Sequence, residues 1–285
     1  QDQAAHPTGE QTVSEYVKRH KLGKRFVSHY LYPLGSALWS CPAEKFGDFP
    51  MEFVINFMDN HQMLQARNRP VWRVIEGGSR TYVDRMVETI GSRLRYNSPV
   101  QSVKRIHNKV EVIQQNGDAA TYDEVILACH ADQALKLLKQ SSDEETSILK
   151  AFPYEANLTT LHSDERLLPK RRSAWASWNA RIPAGNQRKA TSTYNMNILQ
   201  GLDDRKQFCV SLNQKDLVDP SLHHSDFNYS HPTYSPGRAR AQARHHEFIR
   251  RKGISLCGAY WGYGFHEDGI TSGLRVCEAF GEGLA

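Results

Sequence analysis

The stretch GAYWGYGFHEDGITSG, Gly258 to Gly273, sets five glycines among Tyr260, Trp261, Tyr263 and Phe265, followed by His266, Glu267 and Asp268. An apolar run, ISLC, precedes it and a helical pattern, GITSGLRVCEAFG, follows. A strand, a glycine-rich turn and a helix start in that order make a site for an anion or a dipole. Backbone N–H groups converge there and the helix macrodipole adds partial positive charge. Glycine has no Cβ to hold a flat ring or a phosphate away from the backbone. His266 beside two acids has the chemistry of a general acid or base, and equally of a residue that orders a turn.

Other polar groups invite the same question. Asn179 in SWN and Asn195 in YNMN stand within apolar strands, where a buried amide needs partners. Thirteen histidines raise a metal hypothesis, but His223-His224, His231 and His245-His246 match no ligand spacing, so no metal is expected. The five cysteines, Cys41, Cys129, Cys209, Cys257 and Cys277, form no CxxC pair and read as buried thiols. A net charge of +5 is spread over short runs such as Lys170-Arg171-Arg172, which suits solvated faces better than a nucleic-acid stripe. No run approaches the roughly 18 apolar residues of a membrane span. The opening QDQAAHPTGEQ has no signal-peptide layout. A cytoplasmic location is the expectation.

These groups need elements to position them. TVSEYVKRHKLG opens a helix on Thr12 with Glu15 three residues on, a capping-box pattern. FPMEFVINFMDNHQML has helical spacing, and YLYPLGSALWS is apolar enough for a cavity wall or a core. Gly77-Gly78 introduce a helix with Tyr82, Val83, Met86, Val87 and Ile90 on one face, stopped by Gly91. Strands follow at Val100 to Ile106, Val110 to Gln114 and Val125 to Cys129, with turns at His107-Asn108 and Asn116-Gly117. Leaving the last strand on ACHAD into a helix makes a βα unit. ANLTTLHSD, SAWASWNA, ATSTYNMN and QFCVSLN then predict a mixed sheet, and RARAQARHHEFIRR a helix. The fold class is α/β with an α+β admixture, in four segments. Residues 1–75 and 141–245 form one domain, helical and then sheet, interleaved with 76–140 and 246–285 of the other.

The glycine stretch is similar to the C-terminal flavin-binding signature of the FAD-dependent amine oxidase and protoporphyrinogen oxidase superfamily. YWGYGFHEDGITSG, YSHPTYSPGRARAQ, RSAWASWNA and YLYPLGSALWS resemble, more narrowly, an amine-oxidase-like NAD/FAD-binding subgroup. The likeness runs from about Thr12 to the end. It implies FAD, with 76–140 and 246–285 as the FAD-binding domain and the remainder as the substrate domain. Gly77, Gly78, Val100, Gly258, Ala259, Tyr260, Gly264, Phe265, Asp268, Gly269 and Ile270 would meet the cofactor. Val100 would hold the adenine through its backbone, although a plain core valine fits as well. The backbone N–H groups around Gly269 and Ile270 are expected to face the flavin's N1–C2=O edge. Trp39, Trp178, Asn179, Tyr194, Asn195, Tyr229 and His231 would line the substrate cavity, with Tyr32, His61 and Trp175 on the same segments. Subgroup members are often encoded beside cyclopropane-fatty-acid-synthase-like methyltransferases, which implies a lipid-related substrate or partner.

The sequence also departs from that pattern. It has no strand–GxGxxG–helix with an acid about 20 residues on, so a segment before residue 1 is expected to be missing. Asn157 stands where many amine oxidases carry a lysine that holds a water, and Phe265 matches only part of their aromatic cage. His266, Asn157, Phe265 and Tyr263 are the catalytic candidates. The readings left open are an FAD-dependent oxidoreductase taking a hydride from a C–N or C–C bond, a flavin-binding protein that assists a partner, and an inactive truncated product.

Overall fold

The computed structural model describes residues 11–65, 67, 70–71, 73–182 and 191–284. The opening stretch read for a signal layout lies, up to residue 10, outside the described residues. The chain forms two interleaved compact units, one from Gln1–Gly91 and Tyr154–Thr233, the other from Ser92–Pro153 and Tyr234–Ala285. The division after Gly91 groups the helix following Gly77-Gly78 with the first unit, sixteen residues past the boundary expected at 75.

The first unit begins with α1 (Val13–Arg19), which the Thr12 capping box starts: Thr12 Oγ1 accepts the Glu15 N–H at 3.2 Å, and Glu15 Oε2 accepts that of Thr12 at 2.8 Å. A continuous helical segment follows as α2 (Lys24–Phe26), a π turn at Val27–Leu31, and α3 (Tyr32–Trp39). Pro33 lacks an N–H and crowds the carbonyl four residues back, which accounts for the widened turn just before it. Ser40, at φ +50°, ends α3. Next come α4 (Ala43–Gly47), α5 (Met51–Asn60) and α6 (Arg80–Ile90). Trp39 is the centre of an aromatic cluster with Phe46, Phe49 and Phe57 at centroid distances of 5.7, 5.6 and 5.0 Å. Gly35 must be bare, because a Cβ there would lie 2.3 Å from the Phe46 ring.

In the second unit, β1 (Val100–Ile106), β2 (Lys109–Gln114) and β3 (Ala119–Tyr122) make an antiparallel meander. His107, at φ +54°, turns the first hairpin, and Gly117, at φ +93°, the second. Then β4 (Val125–Ala128) leads into α7 (Ala131–Leu137) and α8 (Asp143–Lys150). Back in the first unit, β5 (Tyr154–His162), β6 (Trp178–Ala180), β7 (Ser192–Asn195), α9 (Met196–Gln200), β8 (Cys209–Leu212) and β9 (His223–Pro232) form a sheet in the order β6-β7-β8-β5-β9. Every pairing in it is antiparallel, where the sequence suggested a mixed sheet.

The chain ends in the second unit with α10 (Arg238–Ala243), β10 (Ile254–Cys257) and α11 (His266–Glu278). β10 pairs in parallel with β4, Ile254 opposite Val125 through Cys257 opposite Ala128. The helix expected over 238–251 stops at Ala243 and gives way to a 3₁₀ turn at His245–Phe248. The buried His245 ring draws the backbone aside there, stacking on Trp261 at 4.3 Å and donating from Nε2 to the Leu256 carbonyl at 2.8 Å.

Candidate functional site

In the second unit the parallel strands β4 and β10 end side by side, each turning into a helix. The open ends of adjacent parallel strands are where α/β sheets bind ligands. Three of the five glycines from Gly258 to Gly273 have causes inside the protein. Gly258 has φ +155°, and a Cβ on it would come within 2.7 Å of the Tyr260 ring and 3.2 Å of the Cys129 carbonyl oxygen. Its N–H donates to Ser272 Oγ at 2.8 Å, tying the strand end to α11. A Cβ on Gly262 would lie 2.1 Å from the Asp268 carboxylate. Gly264 takes φ +95°.

Gly269 and Gly273 differ. They sit four apart within α11, hence on one helix face. A Cβ on Gly269 would meet only Ala259, at 3.9 Å, and one on Gly273 nothing within 4 Å. Glycine inside a helix costs about 1 kcal/mol relative to alanine, and among the described residues no neighbour requires it at either position. A bare helix face of this kind fits a flat group packed against it.

The helix starts three residues earlier than GITSGL implied. Asp268 Oδ2 accepts the Phe265 N–H at 2.9 Å, and the Gly269 N–H donates to the Phe265 carbonyl at 3.1 Å. The donors with no acceptor inside α11 therefore belong to its first turn, Glu267 and Asp268 among them, and the Gly269 N–H is already used. Residues Phe265, His266 and Ile270 are exposed, Ala259 and Tyr263 half-buried, and Tyr260 and Trp261 buried. Burial, with the Asp268 carboxylate second, pushes the Tyr263 hydroxyl pKa up.

In the first unit, the register of the antiparallel sheet sorts the cavity candidates, since alternate residues face opposite ways. Trp178 pairs with Tyr194, Tyr194 with Val210, Val210 with Leu161, Asn157 with Tyr229, and Glu155 with His231. Trp178, Tyr194, Asn157, Tyr229 and His231 thus share one face. Asn179 and Asn195 lie on the other, Asn179 bonded to backbone groups and Asn195 to a backbone N–H and to the Gln207 side chain. Asn179 bonds Ala176 N–H and the carbonyls of Ala176 and Thr193. Asn195 Oδ1 accepts Ile198 N–H at 3.1 Å as the cap of α9.

Asn157 is 2% exposed and bonded on every side. The Leu158 N–H fixes Asn213 Oδ1 as acceptor at 3.1 Å, so Asn213 Nδ2 donates to Asn157 Oδ1 at 2.6 Å. Asn157 Nδ2 then donates to the Ser40 carbonyl at 3.0 Å and to His231 Nδ1 at 3.0 Å. Neutral His231 accordingly carries its proton on Nε2. Tyr194 also meets Ser40, and burial raises its pKa. Glu155, the one carboxylate at the strand positions of this face, is paired with Lys45.

Of the remaining candidates, Trp39 belongs to the aromatic core beside Ser40, and Val100 is half-buried at the start of β1 in the second unit. Gly77 and Gly78, at φ +75° and +82°, form the turn before α6 in the first unit. Burial pushes the thiols of Cys41 and Cys209 to about 12 and those of Cys129 and Cys257 to about 11, so none is a ready nucleophile. Sequence reasoning missed Arg238 and Gln242 on α10 and Asn213 after β8. The RARAQ spacing, which sets Arg238 and Gln242 one turn apart, was the available signal for the first two.

The family model described as flavin containing amine oxidoreductase matches residues 4–159, more than half of the chain. No curated protein matches. Among solved structures the chain is similar to a wild-type putrescine oxidase bound to putrescine, with a TM-score of 0.62, 11% identity, and coverage of 96% of this chain and 68% of that one. A CLA-producing fatty acid isomerase from P. acnes gives 0.62, 11%, 95% and 67%. A cyclohexylamine oxidase from Brevibacterium oxydans gives 0.61, 10%, 95% and 67%.

Proposed function

The chain belongs to the flavin containing amine oxidoreductases, and from that premise we propose that it serves an FAD-dependent oxidation in which a hydride leaves a C–N or C–C bond of an apolar, lipid-like molecule. The observation that carries the flavin assignment is the Gly269–Gly273 face of α11, bare without any cause among the described residues. Bound there, FAD would supply the hydride-accepting ring. The chain's own part is to pack that ring on a face without side chains and to set the first-turn N–H groups of α11 near its electron-rich edge. Negative charge is favoured at a helix start by about 0.3–1 kcal/mol, and by up to about 2 in partly buried geometry. Val100 is kept as the adenine contact.

The substrate class rests on the first unit. The face with Trp178, Tyr194, Phe227 and Tyr229 offers aromatic surface, and its only strand carboxylate, Glu155, is neutralised by Lys45. A cationic diamine would find no open counter-charge among these strand positions. An apolar molecule would find rings. Asn157 spends its amide inside the protein, so no lysine-held water is available from that position.

The test is to purify the protein, record its visible spectrum, identify any released flavin, and mix the loaded protein anaerobically with putrescine, cyclohexylamine and a monounsaturated fatty acid. Bleaching of the oxidised flavin band by the fatty acid alone is expected. Bleaching by putrescine alone would overturn the substrate class, and protein that takes up no flavin would overturn the assignment itself.

A further inference from the structure

We propose that Arg238, assisted by Gln242, is the positioning residue that gives the glycine turn its electropositive edge and so favours reduced over oxidised flavin; the proposal rests on the flavin reading above. One turn apart on α10, the two side chains converge on the same two carbonyls. Arg238 Nη2 donates to the oxygens of Tyr260 at 3.0 Å and Gly262 at 3.5 Å. Gln242 Nε2 donates to the same oxygens at 3.0 and 2.6 Å. The Tyr234 hydroxyl donates to a third carbonyl, that of Tyr263.

A trans peptide points its N–H opposite to its C=O. Drawing the carbonyls of residues 260, 262 and 263 toward Tyr234 and α10 therefore aims the N–H groups of Trp261, Tyr263 and Gly264 away from them. The Trp261 N–H turns back to the Gly258 carbonyl at 3.2 Å. The Gly264 N–H, one residue before the cap of α11, stays turned outward, and outward N–H groups beside a helix start form an anion-binding concavity.

The clamp is built to stay in place. Arg238 is 2% exposed, with its guanidinium 4.0 Å over the Tyr234 ring and 5.0 Å over Phe152. A buried guanidinium requires hydrogen-bonded partners, and here carbonyl oxygens of the turn serve. The same buried charge adds to the positive potential of the turn. A flat ring would bind a turn of either orientation by packing alone. A ring that gains negative charge on reduction would distinguish them, because only the clamped orientation presents N–H groups.

The experiment uses the whole protein loaded with FAD and compares wild type, Arg238→Lys, Arg238→Met and Gln242→Leu. Three quantities are read: flavin content, the ratio of affinities for reduced and oxidised flavin from the reduction potential, and amide exchange over residues 258–265 without flavin. Arg238→Met is expected to lower the ratio by about tenfold, the scale of one charge-assisted hydrogen bond, and to speed amide exchange in the turn. Arg238→Lys, which keeps the charge and one donor, should restore part of the ratio. Should Arg238→Met fail to fold, Gln242→Leu carries the test, because it removes the 2.6 Å bond and leaves the buried charge in place. A severalfold fall supports the proposal. A variant that folds, binds flavin and keeps the wild-type ratio overturns it while the flavin reading stands. Wild-type protein that binds no flavin overturns both.

Discussion

The amide nitrogen of Asn157 stands 3.0 Å from Nδ1 of His231, and the hydrogen bonds behind it allow that nitrogen only to donate. The tautomer of His231 is thus set from the backbone N–H of Leu158, through two asparagines, across neighbouring strands. Replacing Asn157 by Asp turns the donor into an acceptor. His231 should then carry its proton on Nδ1 instead of Nε2. The nitrogen chemical shifts of the imidazole ring check this, and an unchanged tautomer would refute the relay. Asn157→Ala, which leaves buried partners unpaired, should cost about 1–3 kcal/mol in denaturant unfolding.

Acid stability offers a second measurement. Burial pushes the pKa of His162 down to about 4, with Nε2 on Ser211 and Nδ1 accepting the Asp164 N–H. Its pKa in the unfolded chain lies near 6.5. Between those values the unfolded chain binds the extra proton, so stability is full above the upper value and falls as pH drops toward the lower. The slope is at most about 1.4 kcal/mol per pH unit for one proton. Arg166 holds the Asp164 carboxyl well below its ordinary value. Its contribution is present above the unfolded-state pKa of 3.8 and is lost at still lower pH. His162→Gln should flatten the first part of the stability curve and leave the second.

Gly258→Ala should destabilise the second unit by about 1–3 kcal/mol. The added methyl meets the Tyr260 ring at 2.7 Å and the backbone at 3.2 Å, at a φ that alanine avoids. Thermal unfolding with the flavin removed reads this directly. A wild-type midpoint would mean that the Gly258 turn relaxes at no cost.

Gly269→Ala is the contrasting case. The methyl has room, and alanine favours a helix interior, so the flavin-free protein should be as stable as wild type or up to about 1 kcal/mol more so. Flavin affinity should fall severalfold. Full flavin affinity in Gly269→Ala would show that the bare face of α11 serves some other purpose than holding the ring.

Local chemistry wrote much of this fold into the sequence. The Thr12–Glu15 box, the Asn116-Gly117 turn and the apolar run at Val125 depend on near neighbours, and each forms where the residue types place it. β9 is not legible in the sequence, because most of its residues are exposed and it is an edge strand, so its side chains show no apolar alternation. The start of α11 is not legible either, because a side-chain bond from Phe265 N–H to Asp268, not the glycine, opens the helix.

Tertiary structure alone decided what the polar residues do. Asn157, Asn179 and Asn195 look alike in the sequence, each an amide within an apolar strand. Register across four strand pairings sends Asn157 to the face of Trp178 and His231 and the other two to the opposite one. The glycines divide in the same way. Gly258 and Gly262 are bare because Tyr260, Cys129 and Asp268 fill the space beside them, whereas a Cβ at Gly269 would meet Ala259 only at 3.9 Å and one at Gly273 no described atom within 4 Å. Residue type sets which groups can bond or bend. Which of them are already satisfied depends on atoms brought close from distant parts of the chain, and only the folded backbone fixes those distances.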